Sequence, residues 1–199
     1  MKKSLILANL AALAILLALG CAKAPQEDIT AAQGEIDRAR QAEAETWAPT
    51  EFQAAQDSMN AAQAEITAQN EKWMKNYDKA RELLSKAKED AAKAAEAAVA
   101  NKEQGKKDAD AAISGAQTAI DSAEASLKVA PVTKDSRADL ALMKSDLQGA
   151  KGSLDEAHQA FETGDYKKAL AVASSVKDKA TSISDQIEAA RKKKMPVRK

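Results

Sequence analysis

The chain has 199 residues, room for one or two small domains, and its 30 basic side chains balance 30 acidic ones, which gives no pull towards nucleic acid. Alanine supplies 47 positions against six aromatics, seven glycines and four prolines, a mixture that selects an all-α fold, since Ala loses no side-chain entropy in a helix and sheets need Val, Ile and aromatic runs. One cysteine and one histidine exclude an internal disulfide framework and leave little material for zinc sites or for Cys/His and Ser/His catalytic pairs, so a non-enzymatic protein without cofactor or metal is expected.

Residues 1–20 read as a targeting segment rather than as part of the fold. Lys2 and Lys3 precede an apolar stretch, Leu5 to Leu19, that is short for a membrane span. It closes on Leu17-Ala18-Leu19-Gly20-Cys21, which resembles the lipobox of bacterial lipoproteins, where the cysteine is acylated and becomes the first mature residue. The usual leucine three places before the cysteine is displaced by one, Ala18 standing in its place, while the small residue before the cysteine is present as Gly20. The resemblance implies a signal peptide over 1–20, palmitate-type acylation at Cys21, and a linker over 21–28. Ala22 after the cysteine further implies the periplasmic face of the outer membrane of a Gram-negative cell, and several acyl chains hold a protein in the bilayer far better than one.

Beyond residue 28, apolar positions recur at spacings of three and four, which places each set on one helical face. The first stripe is Ile29, Ala32, Ile36 and Ala39; the second is Phe52, Ala55, Met59, Ala62, Ile66, Gln69 and Trp73, with one polar lapse at Gln69. The third runs Tyr77, Ala80, Leu84, Ala87, Ala91, Ala94 and Ala98. The second half repeats all three: Ile113, Ala116, Ile120 and Ala123; then Leu140, Met143, Leu147, Ala150, Leu154, Ala157 and Phe161; then Tyr166, Ala169, Ala173, Val176, Ala180, Ile183 and Ile187. Register is constant within stripes and steps between them, as a duplication with loop insertions produces.

The expected architecture is therefore a duplicated three-helix unit of six amphipathic, Ala-rich helices, over 29–104 and 105–190, followed by a basic tail over 191–199. Ala48-Pro49 and Ala130-Pro131 should separate first from second helices, because proline lacks a donor and disfavours helix before it. Gly164 should end a helix in the left-handed conformation and Asp165 cap the next, with Asn76 in the Gly164 role in the first copy. Trp47 and Trp73 stand at helix ends, where such rings seal a bundle. Between the copies the only breaker is Gly105, worth ~1 kcal/mol inside a helix. If the helix continues through it, Tyr77 to Lys128 makes a rod of ~78 Å and an elongated, coiled-coil-like bundle; if not, the helices fold back compactly. With small seams, the large residues should carry the stability, Phe161→Ala costing ~3–5 kcal/mol.

Laid out this way, residues 29–98 resemble a family of bacterial envelope lipoproteins with an alanine-rich helical domain of unknown function, through Ala48-Pro49-Thr50-Glu51-Phe52 and Tyr77-Asp78-Lys79-Ala80-Arg81-Glu82-Leu83. The second half departs from that pattern after Pro131. Ala157, Phe161, Gly164-Asp165-Tyr166 and Ala169-Leu170 are similar to one tetratricopeptide helix pair, but without its period. Neither resemblance implies an activity.

The C-terminus holds six basic residues, Arg191, Lys192, Lys193, Lys194, Arg198 and Lys199, with no acid, behind a body that carries eight more acidic than basic side chains. The plain reading is a solvated helix end, where cations are favoured. The functional reading is contact with anionic envelope polymer, lipid headgroups or an acidic partner, weakened by salt. Arg198-Lys199 is similar to the ending of the murein lipoprotein, whose terminal lysine is joined to peptidoglycan. His158 and Glu162 form an i, i+4 pair that reads as helix surface. The expectation is thus a lipid-anchored scaffold or adaptor for another envelope protein, bound to the bilayer through Cys21. The alternative is a tether to peptidoglycan through the tail, and the Ala faces leave self-association open.

Overall fold

The computed structural model describes residues 23–133 and 136–194. Within them the chain is all-helical: α1 Gln26–Gln41, α2 Ala44–Trp47, α3 Pro49–Asn70, α4 Asp78–Lys128, α5 Arg137–Glu162 and α6 Tyr166–Lys194. The chain divides into two compact units, the first ending at Asn101 and the second starting at Lys102. α4 runs unbroken through Gly105 and lends one wall to each unit, so a single glycine does not stop a helix with good formers on both sides.

In the first unit, α1, α3 and the N-terminal half of α4 close on one another with their alanine-rich stripes inward. Ala32, Ile36, Ala39, Phe52, Ala55, Met59, Ala62, Ile66, Tyr77, Leu84 and the α4 alanines from Ala80 to Ala98 in that stripe are all buried. α3 and α4 are antiparallel, and polar pairs mark their register. Ser58 donates to Asp90 Oδ2 at 3.2 Å, Lys79 Nζ lies 3.4 Å from Glu65, and Asn101 donates to the Trp47 carbonyl at 2.7 Å.

The first helix is not one piece. α1 stops at Gln41, Glu43 turns left-handed at φ 61°, and a four-residue α2 follows. No glycine stands here, so the turn carries a steric cost of roughly 1–2 kcal/mol. Burial of Ala44 and Trp47 and the Arg40–Glu45 hydrogen bond of 3.1 Å offset it.

The second unit packs Ala109, Ile113, Ala116, Ile120 and Ala123 of α4 against Leu147, Ala150, Leu154, Ala157 and Ala160 of α5 and against Ala169, Ala173, Val176, Ala180, Ile183 and Ile187 of α6. The α5–α6 turn follows its sequence. Gly164 sits at φ 82°, Asp165 N bonds back to Ala160 O at 2.8 Å, and the Asp165 carboxylate accepts from Lys168 N at 3.1 Å. That is a glycine-ended helix followed by a capped one.

Both Ala-Pro dipeptides separate a first helix from a second: Pro49 opens α3 after α2 ends at Trp47, and Pro131 lies between the end of α4 at Lys128 and the start of α5 at Arg137, where Ser136 Oγ donates to Pro131 O. Three other expectations need correction. Asn76 is not left-handed: its side chain accepts from Asp78 N at 2.8 Å and so opens α4 instead of closing α3. Trp73 seals nothing, because α3 ends at Asn70 and the indole is 94% exposed. Phe161 is only half-buried, its ring tilted against Tyr166 at 5.2 Å between centroids.

Phe52 is 4% exposed, so Phe52→Ala should cost ~3–5 kcal/mol in denaturant melts, and Phe161→Ala clearly less; equal losses would show that the half-buried ring matters as much as the buried one. Backbone geometry generates a second pair. A Cβ on Gly152 meets nothing within 4 Å in the middle of α5, so Gly152→Ala should stabilise by ~0.5–1 kcal/mol. Gly164→Ala must adopt positive φ and should destabilise by roughly 1–2 kcal/mol in the same assay.

Candidate functional site

The lipidation candidate, Cys21, lies outside the described residues, as do Arg198 and Lys199 at the other end of the chain. The description starts at Lys23, exposed, and the chain enters α1 directly through Pro25, which is buried. At the far end α6 continues to Lys194, so the first part of the basic tail is the last turn of a helix. Arg191 and Lys192 are exposed there, and Lys192 Nζ lies 3.6 Å from Glu188, one turn back. The side chains of Lys193 and Lys194 lie outside the description. Exposed cations at a helix C-terminus are favoured by the helix dipole, and Glu188 partly neutralises this one within its own helix.

His158 and Glu162 are both exposed on α5, and among the described residues no group of three or more His, Cys, Asp or Glu converges to hold a metal ion. Nor is any described helix long and apolar enough to cross a membrane.

The feature that sequence reasoning missed is the α3–α4 connection. Its residues run Glu71-Lys72-Trp73-Met74-Lys75-Asn76. Trp73 is 94% and Met74 79% exposed, and both flanking lysines are exposed as well. The backbone beneath them is held firmly. Lys72 N donates to Gln69 O at 3.1 Å, Asn76 N donates to Gln69 Oε1 at 3.1 Å, and the buried Tyr77 donates its hydroxyl to Asn70 Oδ1 at 2.6 Å. Gln69 Nε2 in turn donates to Glu65 Oε1 at 2.7 Å. The polar lapse in the second stripe is therefore the clasp of this loop, and it holds the Glu65 carboxyl below the usual carboxylate range, with Lys79 adding to the effect. A signal was present in the sequence: two large apolar residues between lysines, bounded by Asn70 and Asn76. Helical periodicity hid it by absorbing Trp73 into the stripe.

In the second unit, α4, Val132 of the following connection, and α5 border an open groove of about 440 Å³. Leu127, Leu140 and Leu147 line it together with Lys128 and Lys144. Lys151 on α5 is hydrogen-bonded to Glu124 on α4, and that bond, first among the causes, lowers the Glu124 pKa.

Compared with family models, with curated proteins and with solved structures, the chain finds no match in any of the three.

The Glu124–Lys151 link should leave a mark on the pH dependence of stability. A carboxyl whose folded pKa is depressed stabilises fully above its ordinary range and loses that contribution as pH falls from that range through the lowered value. Unfolding measured across that acid window should show wild type losing more stability than Glu124→Gln, the difference shrinking in high salt; parallel curves would mean that the pair contributes nothing.

Proposed function

We propose that this chain is a non-enzymatic lipoprotein of the bacterial envelope, acylated at Cys21, held on the periplasmic face of the outer membrane, and serving as a helical scaffold for another envelope protein. The observation that carries the reading is Leu17-Ala18-Leu19-Gly20-Cys21 at the end of a lysine-led apolar segment, with folded helix beginning at Gln26. The likeness of residues 29–98 to envelope lipoproteins with an alanine-rich helical domain points the same way.

Electrostatics supports the non-catalytic part of the reading. Active sites shift pKa values by burying charges in clefts beside chosen partners. Among the described residues, the groups with shifted values, Arg40, Glu65, Lys93 and Glu124, owe their shifts first to hydrogen bonds with Glu45, Gln69, Glu89 and Lys151. Two of these bonds are i, i+4 pairs within one helix and two join neighbouring helices, the arrangement of structural surface pairs.

A scaffold and a wall tether make different demands on the same molecule. A scaffold binds through helix faces or connections; a tether binds through Lys192, Lys193, Lys194, Arg198 and Lys199.

Crosslinking in cells, with purification before and after lysozyme digestion and identification by mass spectrometry, separates the two. The scaffold predicts a discrete protein partner retained when 191–199 is deleted. A muropeptide on Lys199, or release that depends on lysozyme, would replace the scaffold with the tether. Cys21→Ser should move the protein from the membrane to the soluble fraction; retention in the membrane would sink the anchor.

A further inference from the structure

The α3–α4 connection and the start of α1 lie at the same end of the first unit. Asp28, in the first turn of α1, pairs with Arg81, in the first turn of α4, at 3.9 Å. α1 and α3 run in opposite directions along a shared groove lined by Gln33, Ile36 and Arg40 on one side and by Gln56, Met59 and Gln63 on the other. The beginning of α1 therefore meets the end of α3, where Trp73 and Met74 stand in water. Only one residue separates Cys21 from Lys23, so the extended chain spans at most about 7 Å between them. A lipid on Cys21 would bring this end of the unit to the bilayer surface.

The chemistry of the loop fits that surface. An indole beside a flexible thioether suits the layer between water and acyl chains, where aromatic rings keep a polar edge wet and an apolar face buried. Lys72 and Lys75 supply cations for phosphate headgroups against one carboxylate in the loop, Glu71, while Lys23, just ahead of α1, is offset by Glu27 and Asp28. The clasp made by Gln69, Asn70 and Tyr77 keeps the loop from folding back over its apolar pair, so little ordering is left for the encounter. We infer that the Trp73–Met74 loop enters the headgroup layer of the membrane that holds Cys21, with Lys72 and Lys75 on anionic phospholipid. This rests on the lipoprotein reading above.

The test uses the full chain purified from membranes and reconstituted in phosphatidylethanolamine–phosphatidylglycerol vesicles, with or without brominated acyl chains. Trp73→Phe, a change at an exposed position, isolates the Trp73 fluorescence by difference from wild type. The expected result is a blue-shifted Trp73 contribution that is lost on brominated lipid, and a weaker loss when Lys72 and Lys75 are both changed to Glu. The mass of the Cys21 peptide is read on the same sample. Acylated Cys21 with an unshifted, unquenched Trp73 overturns the loop inference and leaves the anchor standing. Unmodified Cys21 with Trp73 still quenched on added vesicles removes the anchor and keeps the loop; with no quenching, both fall. Trp73 shielded only when envelope proteins are added assigns the loop to a protein partner and overturns the inference.

Discussion

Everything in this fold follows from seams made of alanine. A methyl group lets two helix axes approach towards the close end of the usual range of about 8–10 Å, but it buries little area and fills no distinctive hole. Leu84, in a stripe of Ala80, Ala87, Ala91, Ala94 and Ala98, is the one large side chain that α4 buries between Tyr77 and the end of the first unit. Such a surface drives association without fixing where along the helix the partner stops. Register then rests on the few large buried side chains, Phe52, Met59, Ile66 and Leu84, and on polar pairs stepping along α3 and α4: Trp47 with Asn101, Ser58 with Asp90, Glu65 with Lys79, Asn70 with Tyr77. Each pair is directional where the seam is not, and three of the four involve a helix end or a connection.

The stripes were readable because a 3.6-residue period is a property of the chain itself. Almost every alanine, isoleucine and leucine assigned to a seam is buried, and Gly164 with Asp165 forms the turn and cap expected of those residue types. What escaped is what periodicity does not encode. Trp73 has the right spacing to extend the second stripe, yet α3 has ended by then, because Gln69 turns its amide to the connection and Asn70 to Tyr77. The break at Glu43 has no glycine to announce it; the packing of Ala44 and Trp47 selects it. Asn76 is the less convincing counterpart of Gly164 by sequence, and a side chain with its own acceptor can open a helix, which glycine cannot do. The Ala-Pro pairs mark both boundaries as expected, but not the exact starting residue, because proline is equally at home as the first residue of a helix and in the connection ahead of one.

The two units solve the same packing problem with different resources. The first buries Phe52, Met59, Tyr77 and Leu84 and clasps its α3–α4 connection with side-chain amides. The second leaves Phe161 and Tyr166 half-buried at a three-residue turn closed by backbone bonds, and makes its core from Ile113, Ile120, Leu147, Leu154, Ile183 and Ile187. The two units differ at their helix ends, while alanine-containing seams run between those ends in both. The ends are therefore where the two units differ in surface, and where recognition has room to differ as well.

That difference is sharpest at Trp73 and Met74. Fully burying a large apolar side chain stabilises a protein by about 1.5–3 kcal/mol, and a chain with cores this rich in methyl groups has few such side chains to bury. Of its two tryptophans, one is packed at the end of α2 and the other is held in water. A loosely tethered loop would let the indole fold back over the neighbouring helices. Instead, three hydrogen bonds to Gln69 and Asn70 brace the backbone beneath it. A structure that forgoes burial and also prevents collapse keeps the apolar pair ready for contact with a surface outside the fold, and lysines on both sides give that surface its sign.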